Sequence, residues 1–164
     1  MARKLNLALE DFFSFDGRFR RLEFWIANLG LLLLQIATQL VVGPFFGESL
    51  FRAGRPSWFR LALNVASLWP TAAILIKRGH DRNRSALFTS GLLLVIYIFP
   101  EVGLVMVRFG VNLMNDWLKI PMGLVAMYML IDYGFIDGTQ GPNRYGPSPK
   151  GIGAPTLDVA ATFD

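Results

Sequence analysis

His80 and Asp81 are neighbouring side chains that could carry out acid–base chemistry. A carboxylate can orient an imidazole for proton transfer. Adjacent residues rarely form that pair with each other, however, and neither a nucleophile nor a second histidine accompanies them. The chain has one histidine and no cysteine, which argues against a zinc or haem site and excludes disulfides. We therefore predict that the protein is not an enzyme and has no catalytic, metal-binding or cofactor-binding residues.

Arginines and other polar residues accompany this pair in three short segments. The planar fork of a guanidinium suits phosphate and carboxylate groups, so one interpretation is a site for a lipid phosphate or a partner's acidic segment. The alternative is that the arginines set the topology and pair with Glu23 and Asp81 to lock helix ends. The candidate cluster consists of Arg18, Arg20, Arg21, Glu23, Arg78, His80, Asp81, Arg84, Asn143, Arg144 and Tyr145.

Four long apolar stretches must position these residues. The first, Phe24 to Phe46, contains 23 residues without an ionisable side chain. At about 1.5 Å per residue it is long enough to cross a hydrocarbon core of about 30 Å. Backbone polar groups in lipid must be satisfied within the segment, so each stretch is predicted to be a helix. The predicted spans cover about residues 24–46, 58–76, 85–107 and 117–136.

The composition predicts the same solvent. Hydrophobic residues make up 53% of the 164 residues, and a chain this short cannot bury four apolar helices in water. The predicted fold class is therefore all-α, an integral membrane four-helix transmembrane bundle over residues 1–136. Residues 137–164 contain five glycines and four prolines, which predicts a loop-forming tail.

The segment before the first span has apolar residues at helical spacing, which predicts a helix in the membrane interface. These residues are Phe12, Phe15, Phe19 and Leu22. Gly17 favours a second possibility, a helix that begins beside Arg18 with Ser14 or Asp16 as its cap.

Two acidic residues fall inside the predicted spans. Glu101 and Asp132 lie close enough to span ends to be ordinary end-of-helix charges, although ionisable groups in a membrane are also functional candidates. The sequence Pro100 to Gly103 could break the third span or form a re-entrant turn. We predict four crossings.

The basic residues predict the orientation. Eleven lysines and arginines fall in the N-terminal segment, the joint after the second span and the tail, whereas five fall on the other side. The positive-inside rule therefore places both termini in the cytoplasm. The net charge of +4 comes from these joints and predicts contact with anionic lipid headgroups, and no binding of nucleic acid.

Three motifs resemble a known family. The chain is similar to the bacterial inner-membrane domain-of-unknown-function family 805 in its opening signature, in an Arg-x-His-Asp-x-x-x-Ser element and in its closing signature. These motifs are Gly17 to Trp25, Lys77 to Ser85 and Gly141 to Pro149. Gly79 stands where that family usually has leucine. The resemblance implies a small helical protein of the bacterial inner membrane and supplies no activity.

The leading functional prediction is a scaffold or accessory subunit that packs against other integral membrane proteins and holds anionic lipid. The alternative is a small-solute or ion transporter or channel component. A water-filled cavity that joins Glu101 and Asp132 would favour transport. A membrane enzyme would instead require a cleft that reaches both His80 and Asp81.

Overall fold

A computed structural model describes residues 8–47, 58–108, 110 and 116–153. The protein is helical throughout its spans. The predicted all-α fold class is confirmed. Within the described residues, four helices are long and apolar enough to cross a membrane, judged by length and composition. They are Arg21–Val41, Trp58–Asp81, Ala86–Gly103 and Leu118–Phe135.

Local geometry varies along these helices. Helix α1 (Arg21–Val41) is followed by a 3-10 turn at Gly43–Phe46, and α2 (Trp58–Asp81) continues through Pro70. The third span consists of α3 (Ala86–Leu93), a π-helical turn (Leu94–Ile98) and α4 (Phe99–Arg108). The fourth consists of α5 (Asp116–Met129) and a π-helical turn (Leu130–Phe135).

The third span does not reverse at its proline. Pro100 has no backbone N–H to donate to the preceding turn. A π-helical turn at Leu94–Ile98 comes just before it, and α4 then runs through Gly103 to Arg108. The re-entrant turn considered from the sequence is therefore wrong.

The segment before the first span is not the helix that the apolar spacing predicted, and its position in the membrane interface stays a prediction. Leu9–Phe12 forms one 3-10 turn, and the chain is then irregular until α1 begins at Arg21. Gly17 has a φ of 93°, a left-handed conformation that a helix cannot contain. As a result Phe19 is buried while Leu22 is 58% exposed, so the apolar residues do not share one face.

The cap of α1 also differs from the predicted one. The Ser14 hydroxyl accepts a hydrogen bond from the backbone N–H of Asp16 at 3.1 Å, which stabilises a turn rather than a helix end. The first turn of α1 is instead held by Glu23, whose carboxylate accepts from the backbone N–H of Arg20 at 2.9 Å. An acidic group there also suits the helix dipole.

Burial is concentrated at one end of α2. All residues from Ala73 to Asp81 are buried, whereas α1 buries only Phe24, Ala27 and Gln39. Most leucines of α1 are exposed in the isolated chain, as expected for a helix that faces lipid.

The residues of the candidate cluster meet at the Asp81 end of α2 because the spans alternate in direction. The backbone N–H of Phe19, just before α1, donates to the Lys77 carbonyl at 3.2 Å near the end of α2. Arg78 reaches Tyr133 near the end of the fourth span. We call residues 8–23, 77–86 and 132–150 the polar end. The described parts of both terminal segments lie there.

Candidate functional site at the polar end

Asp81 lies at the centre of the polar end between two arginines. Its Oδ1 accepts from Arg18 Nη2 at 2.9 Å and Nε at 3.2 Å, and its Oδ2 accepts from Arg78 Nη1 at 2.6 Å. The three side chains are between 0% and 5% exposed. Such charge-assisted hydrogen bonds are about twice as strong as neutral ones. We call this group the Arg18–Asp81–Arg78 triad.

Arg78 joins three parts of the fold besides holding Asp81. Its guanidinium donates to the carbonyls of Tyr133 at 2.6 Å, Ile136 at 2.7 Å and Phe19 at 3.3 Å. Carbonyls at the end of a helix lack intrahelical donors and need such partners when they are buried. Arg78 therefore satisfies the end of the fourth span and the entry to α1 from a single position in α2.

Arg18 holds the start of the tail in the same way. It donates to the Thr139 carbonyl at 2.9 Å, the Thr139 hydroxyl at 3.0 Å and the Gly141 carbonyl at 2.9 Å. Thr139 in turn donates from its backbone N–H and its hydroxyl to the Asp81 carbonyl, at 2.8 and 3.0 Å. The tail is thus fixed against the end of α2 in this region.

Two glycines permit this close packing. A Cβ at Gly138 would overlap the Asp81 carboxylate, so only glycine lets the tail pass. A Cβ at Gly79 would overlap the Thr89 hydroxyl and would lie 3.3 Å from that of Tyr133. The Thr89 and Tyr133 hydroxyls are hydrogen-bonded at 2.9 Å, which explains why this chain has glycine rather than leucine at position 79.

His80 faces away from the triad. Its Nδ1 lies 3.2 Å from the Gly17 carbonyl, and its ring stacks on Tyr145 with centroids 3.8 Å apart. The Arg144 guanidinium covers the Tyr145 ring at 4.7 Å. The Asn143 amide donates to the His80 carbonyl at 2.9 Å. His80 and Asp81 therefore serve different contacts and do not form the acid–base pair that their adjacency suggested.

Other predicted members lie around this centre. Arg20 pairs with Glu23 at 2.9 Å, one helical turn apart. Arg21 donates to the Phe135 carbonyl at 3.0 Å and lies 3.8 Å from the Asp137 carboxylate. The structure thus brings the predicted residues to one end of the bundle but divides them between a buried triad and a more exposed rim.

A second buried ion pair was missed from the sequence. Arg82 Nη2 donates to Asp132 Oδ1 at 2.8 Å, and the Tyr128 hydroxyl donates to Oδ2 at 3.3 Å. Arg84, 44% exposed, lies 3.9 Å from the same carboxylate. Asp132 lies in the last turn of the fourth span, near the helix end as predicted, but it is only 4% exposed, which the sequence did not indicate. Its distance of 50 residues from Arg82 left no local signal.

Lys77 and Asp11 form another unpredicted contact. Lys77 Nζ donates to the Asp11 carboxylate at 2.9 Å and its carbonyl at 2.8 Å, and it lies 4.9 Å above the Phe19 ring. Burial raises the pKa of Asp11 and is the largest single effect. The hydrogen bonds from Lys77 and from the Ala8 backbone N–H, with the charge of Lys77, together outweigh it, so the net pKa is below its usual value. A lysine directly after an apolar run is the one signal that could have suggested a buried partner.

Comparisons with known proteins find a matching family model and several relatives. A family model described as "Protein of unknown function (DUF805)" matches residues 12–147. The Uncharacterized protein YiiR of Escherichia coli is 34% identical over 140 residues, which cover 85% of this chain and 88% of that protein. The Inner membrane protein YhaH of Escherichia coli is 26% identical over 145 residues, 87% of this chain and 92% of that protein. The Inner membrane protein YhaI is 25% identical over 143 residues, with 87% and 91% covered. No solved structure matches the chain at a significant level.

Proposed function

The chain belongs to the DUF805 family of membrane proteins, and we propose that it is a non-enzymatic scaffold or accessory subunit of a membrane protein complex. We further propose that both termini face the cytoplasm and that the rim of the polar end contacts anionic lipid headgroups. The observation that carries the first proposal is that the protein's own groups already occupy the hydrogen-bonding positions of the triad.

The triad supports a structural role because its hydrogen-bonding groups are already used. Both Asp81 carboxylate oxygens accept hydrogen bonds from arginines. Arg78 and Arg18 also donate to backbone carbonyls, and Arg18 donates to the Thr139 hydroxyl. A substrate would have to displace these bonds, and each hydrogen bond to a charged group is worth about 1.5–3 kcal/mol. The arrangement favours locking the bundle over binding a reactant.

The outer surface of α1 supports the scaffold role. Leu29, Leu33 and Leu40 are 54%, 56% and 56% exposed and recur at helical spacing along one side of the helix. In a membrane such a surface faces either acyl chains or the helix of another protein. A helix whose outer face is apolar associates with another helix through side-chain packing. The exposed leucines of α1 therefore suit a docking surface for a partner.

The rim arginines support the lipid contact. Arg21 and Arg84 side chains are 52% and 44% exposed, unlike the buried arginines of the triad. Basic side chains near a membrane surface each contribute about 1 kcal/mol to attraction for anionic lipid. The anion-binding prediction thus moves from the whole cluster to its exposed members.

A photo-crosslinking experiment tests the scaffold role. Benzoylphenylalanine placed at Leu33, on the outer face of α1, should yield one discrete adduct with another membrane protein in intact cells. The matched control places the same residue at Phe24, which is 8% exposed and faces the bundle interior. Lipid adducts alone at Leu33, or the same adducts from both positions, would contradict the proposal.

Lipid copurification tests the rim. Arg84→Gln should lower the phosphatidylglycerol that copurifies in a mild non-ionic detergent, because it removes an exposed positive charge. The control is Lys119→Gln, which removes the same charge near the start of α5, at the opposite end of the bundle. Equal lipid in both variants and the unmodified protein would refute the lipid contact and leave the scaffold proposal intact.

Transport has less support. A cavity lined by Glu101 lies in the opposite half of the bundle, and Asp132 is not among its lining residues. Asp132 is instead paired with Arg82 at the polar end. The path between the two carboxylates that would have favoured transport is therefore not formed by this cavity.

A further inference from the structure

A cavity of about 320 Å³ lies between the first half of α2 and the third span, in the half of the bundle away from the polar end. The surface that the described residues present to it is apolar. Its volume is near the lower limit of sites for small organic ligands, about 300–1,000 Å³. Its apolar lining residues are Leu61, Val65, Leu68, Ile98, Val102 and Met106.

Two polar contacts beside the cavity join α2 to the third span. The Asn64 amide donates to Glu101 Oε1 at 2.8 Å, and the Tyr97 hydroxyl lies 3.1 Å from the Ser67 hydroxyl. Each contact is made by the tip of a long side chain from the third span, so the polar atoms bond to each other and only apolar atoms line the cavity. The two helices are therefore bridged on either side of a volume that their apolar side chains leave between them.

The cavity opens sideways toward the membrane. Val65, Val102 and Met106 line it and are exposed in the isolated chain. On α2 the lining residues extend from Leu61 to Leu68, which is about 10 Å along the helix axis at about 1.5 Å per residue. One leaflet contributes about 15 Å of a hydrocarbon core that is about 30 Å thick. The cavity therefore runs along most of the depth of one leaflet, in the direction that acyl chains take.

The size and lining of the cavity select among possible occupants. A buried water needs about two to four polar partners, which an apolar surface does not offer. One turn of a helix with its side chains is a cylinder about 11 Å wide and about 5.4 Å long, or roughly 500 Å³, which is larger than the whole cavity. A hydrocarbon chain is narrower and needs no hydrogen bond, and it gains dispersion contacts with lining atoms that otherwise lack neighbours on one side.

We propose that this cavity holds one acyl chain of a phospholipid from the leaflet away from the polar end. The chain enters through the opening between Val65 and Val102, and its methylene groups pack against both helices. Binding depends on the hydrocarbon chain and is the same for zwitterionic and anionic headgroups. The site is separate from the rim of the polar end and depends neither on the rim contact nor on the scaffold role.

Native mass spectrometry of the purified full-length protein in non-ionic detergent tests the proposal with dipalmitoyl phosphatidylethanolamine and dipalmitoyl phosphatidylglycerol. The double variant Val65→Phe with Val102→Phe fills the cavity from both helices. We expect it to bind either lipid at least about tenfold more weakly, because displacing about two buried methylene groups is sufficient for that factor. Val65→Phe alone, at an exposed position, should weaken both lipids in the same direction. Circular dichroism checks that each variant remains helical.

The matched control is Val41→Phe with Val42→Phe, because both valines are exposed at the end of α1 in the same half of the bundle. This control and Arg84→Gln, which changes the rim, should both leave phosphatidylethanolamine binding unchanged. Equal binding in the filled double variant and its control overturns the proposal, as does a loss of phosphatidylethanolamine in Arg84→Gln. Palmitic acid that binds as tightly as the phospholipids, or a bound protein that replaces the lipid and is lost on filling the cavity, also overturns it by identifying a different occupant.

Discussion

Asp81→Asn is the substitution that tests the triad most directly. Asparagine has nearly the same shape as aspartate, but it is neutral and one of its oxygens is replaced by an amide donor. Arg78 Nη1, now 2.6 Å from Asp81 Oδ2, would lose its acceptor or face another donor. Two guanidinium groups, 2% and 0% exposed, would then be buried without a counter-charge.

The expected cost is large because it is the cost of an uncompensated buried charge. Removing one partner of a buried ion pair typically costs about 3–5 kcal/mol. Asp81 serves two arginines, so we expect a loss of free energy of unfolding of at least about 3 kcal/mol. The measurement is unfolding of the purified protein by sodium dodecyl sulfate in mixed micelles, followed by far-ultraviolet circular dichroism.

Asp16→Asn is the matched control, since Asp16 is exposed in the loop before α1. Its effect should stay within about 0.5 kcal/mol, as for most surface substitutions. The double variant Arg78→Gln with Asp81→Asn should lose less than the sum of its single variants, because the two side chains interact directly. A loss below about 1 kcal/mol for Asp81→Asn, or additive effects in the double variant, would refute this account of the triad.

Gly138→Ala should destabilise the protein because its Cβ would overlap the Asp81 carboxylate, whereas Gly123→Ala, with open space around its Cβ, should be neutral or slightly stabilising in the same unfolding assay. The Asp11 pKa is lowered on folding, so the stabilisation by its contact with Lys77 is present above the unfolded pKa of about 3.9 and is lost as the pH falls through the folded value. The protection factors of the N-terminal amides, which are corrected for the intrinsic slowing of hydrogen exchange in acid, should therefore fall as the pH is lowered in the unmodified protein and change less in Asp11→Asn. If both termini are cytoplasmic, a green fluorescent protein fused to the C-terminus should fluoresce and an alkaline phosphatase fused there should be inactive; the reverse result would exclude that orientation.

The helices could be predicted from the sequence because their cause is local. Twenty-three consecutive residues without an ionisable side chain, from Phe24 to Phe46, are sufficient to predict a span. Helix ends were less predictable: α1 begins at Arg21 and ends at Val41, and α2 continues to Asp81, past the charges that seemed to end it. Charged residues extend a helix in this way when tertiary contacts satisfy them, which hydropathy does not reveal.

The candidate cluster was predictable in part. Its residues could be collected at one end because an even number of spans brings both terminal segments to the same side. Which arginine would be buried was not predictable, because Arg18, Arg20 and Arg21 have the same chemistry and differ only in direction. Gly17 decides this: its left-handed φ of 93° turns the chain so that Arg18 faces Asp81. Some basic residues counted for the predicted orientation, those near Arg3 and near Arg52, lie outside the described residues.

The spacing within the second motif has a physical explanation. Arg78 and Asp81 are three residues apart in α2, which places them on neighbouring turns of one helical face and allows their contact at 2.6 Å. The carboxylate neutralises a guanidinium that would otherwise be too costly to bury, and the remaining donors are then available for carbonyls of other spans. A lysine could carry the same charge but has its donors at a single point, so it could not reach Phe19 and Ile136 together with Asp81. The pair therefore functions as a connector between spans, and the tail completes it where Gly138 lets the backbone approach.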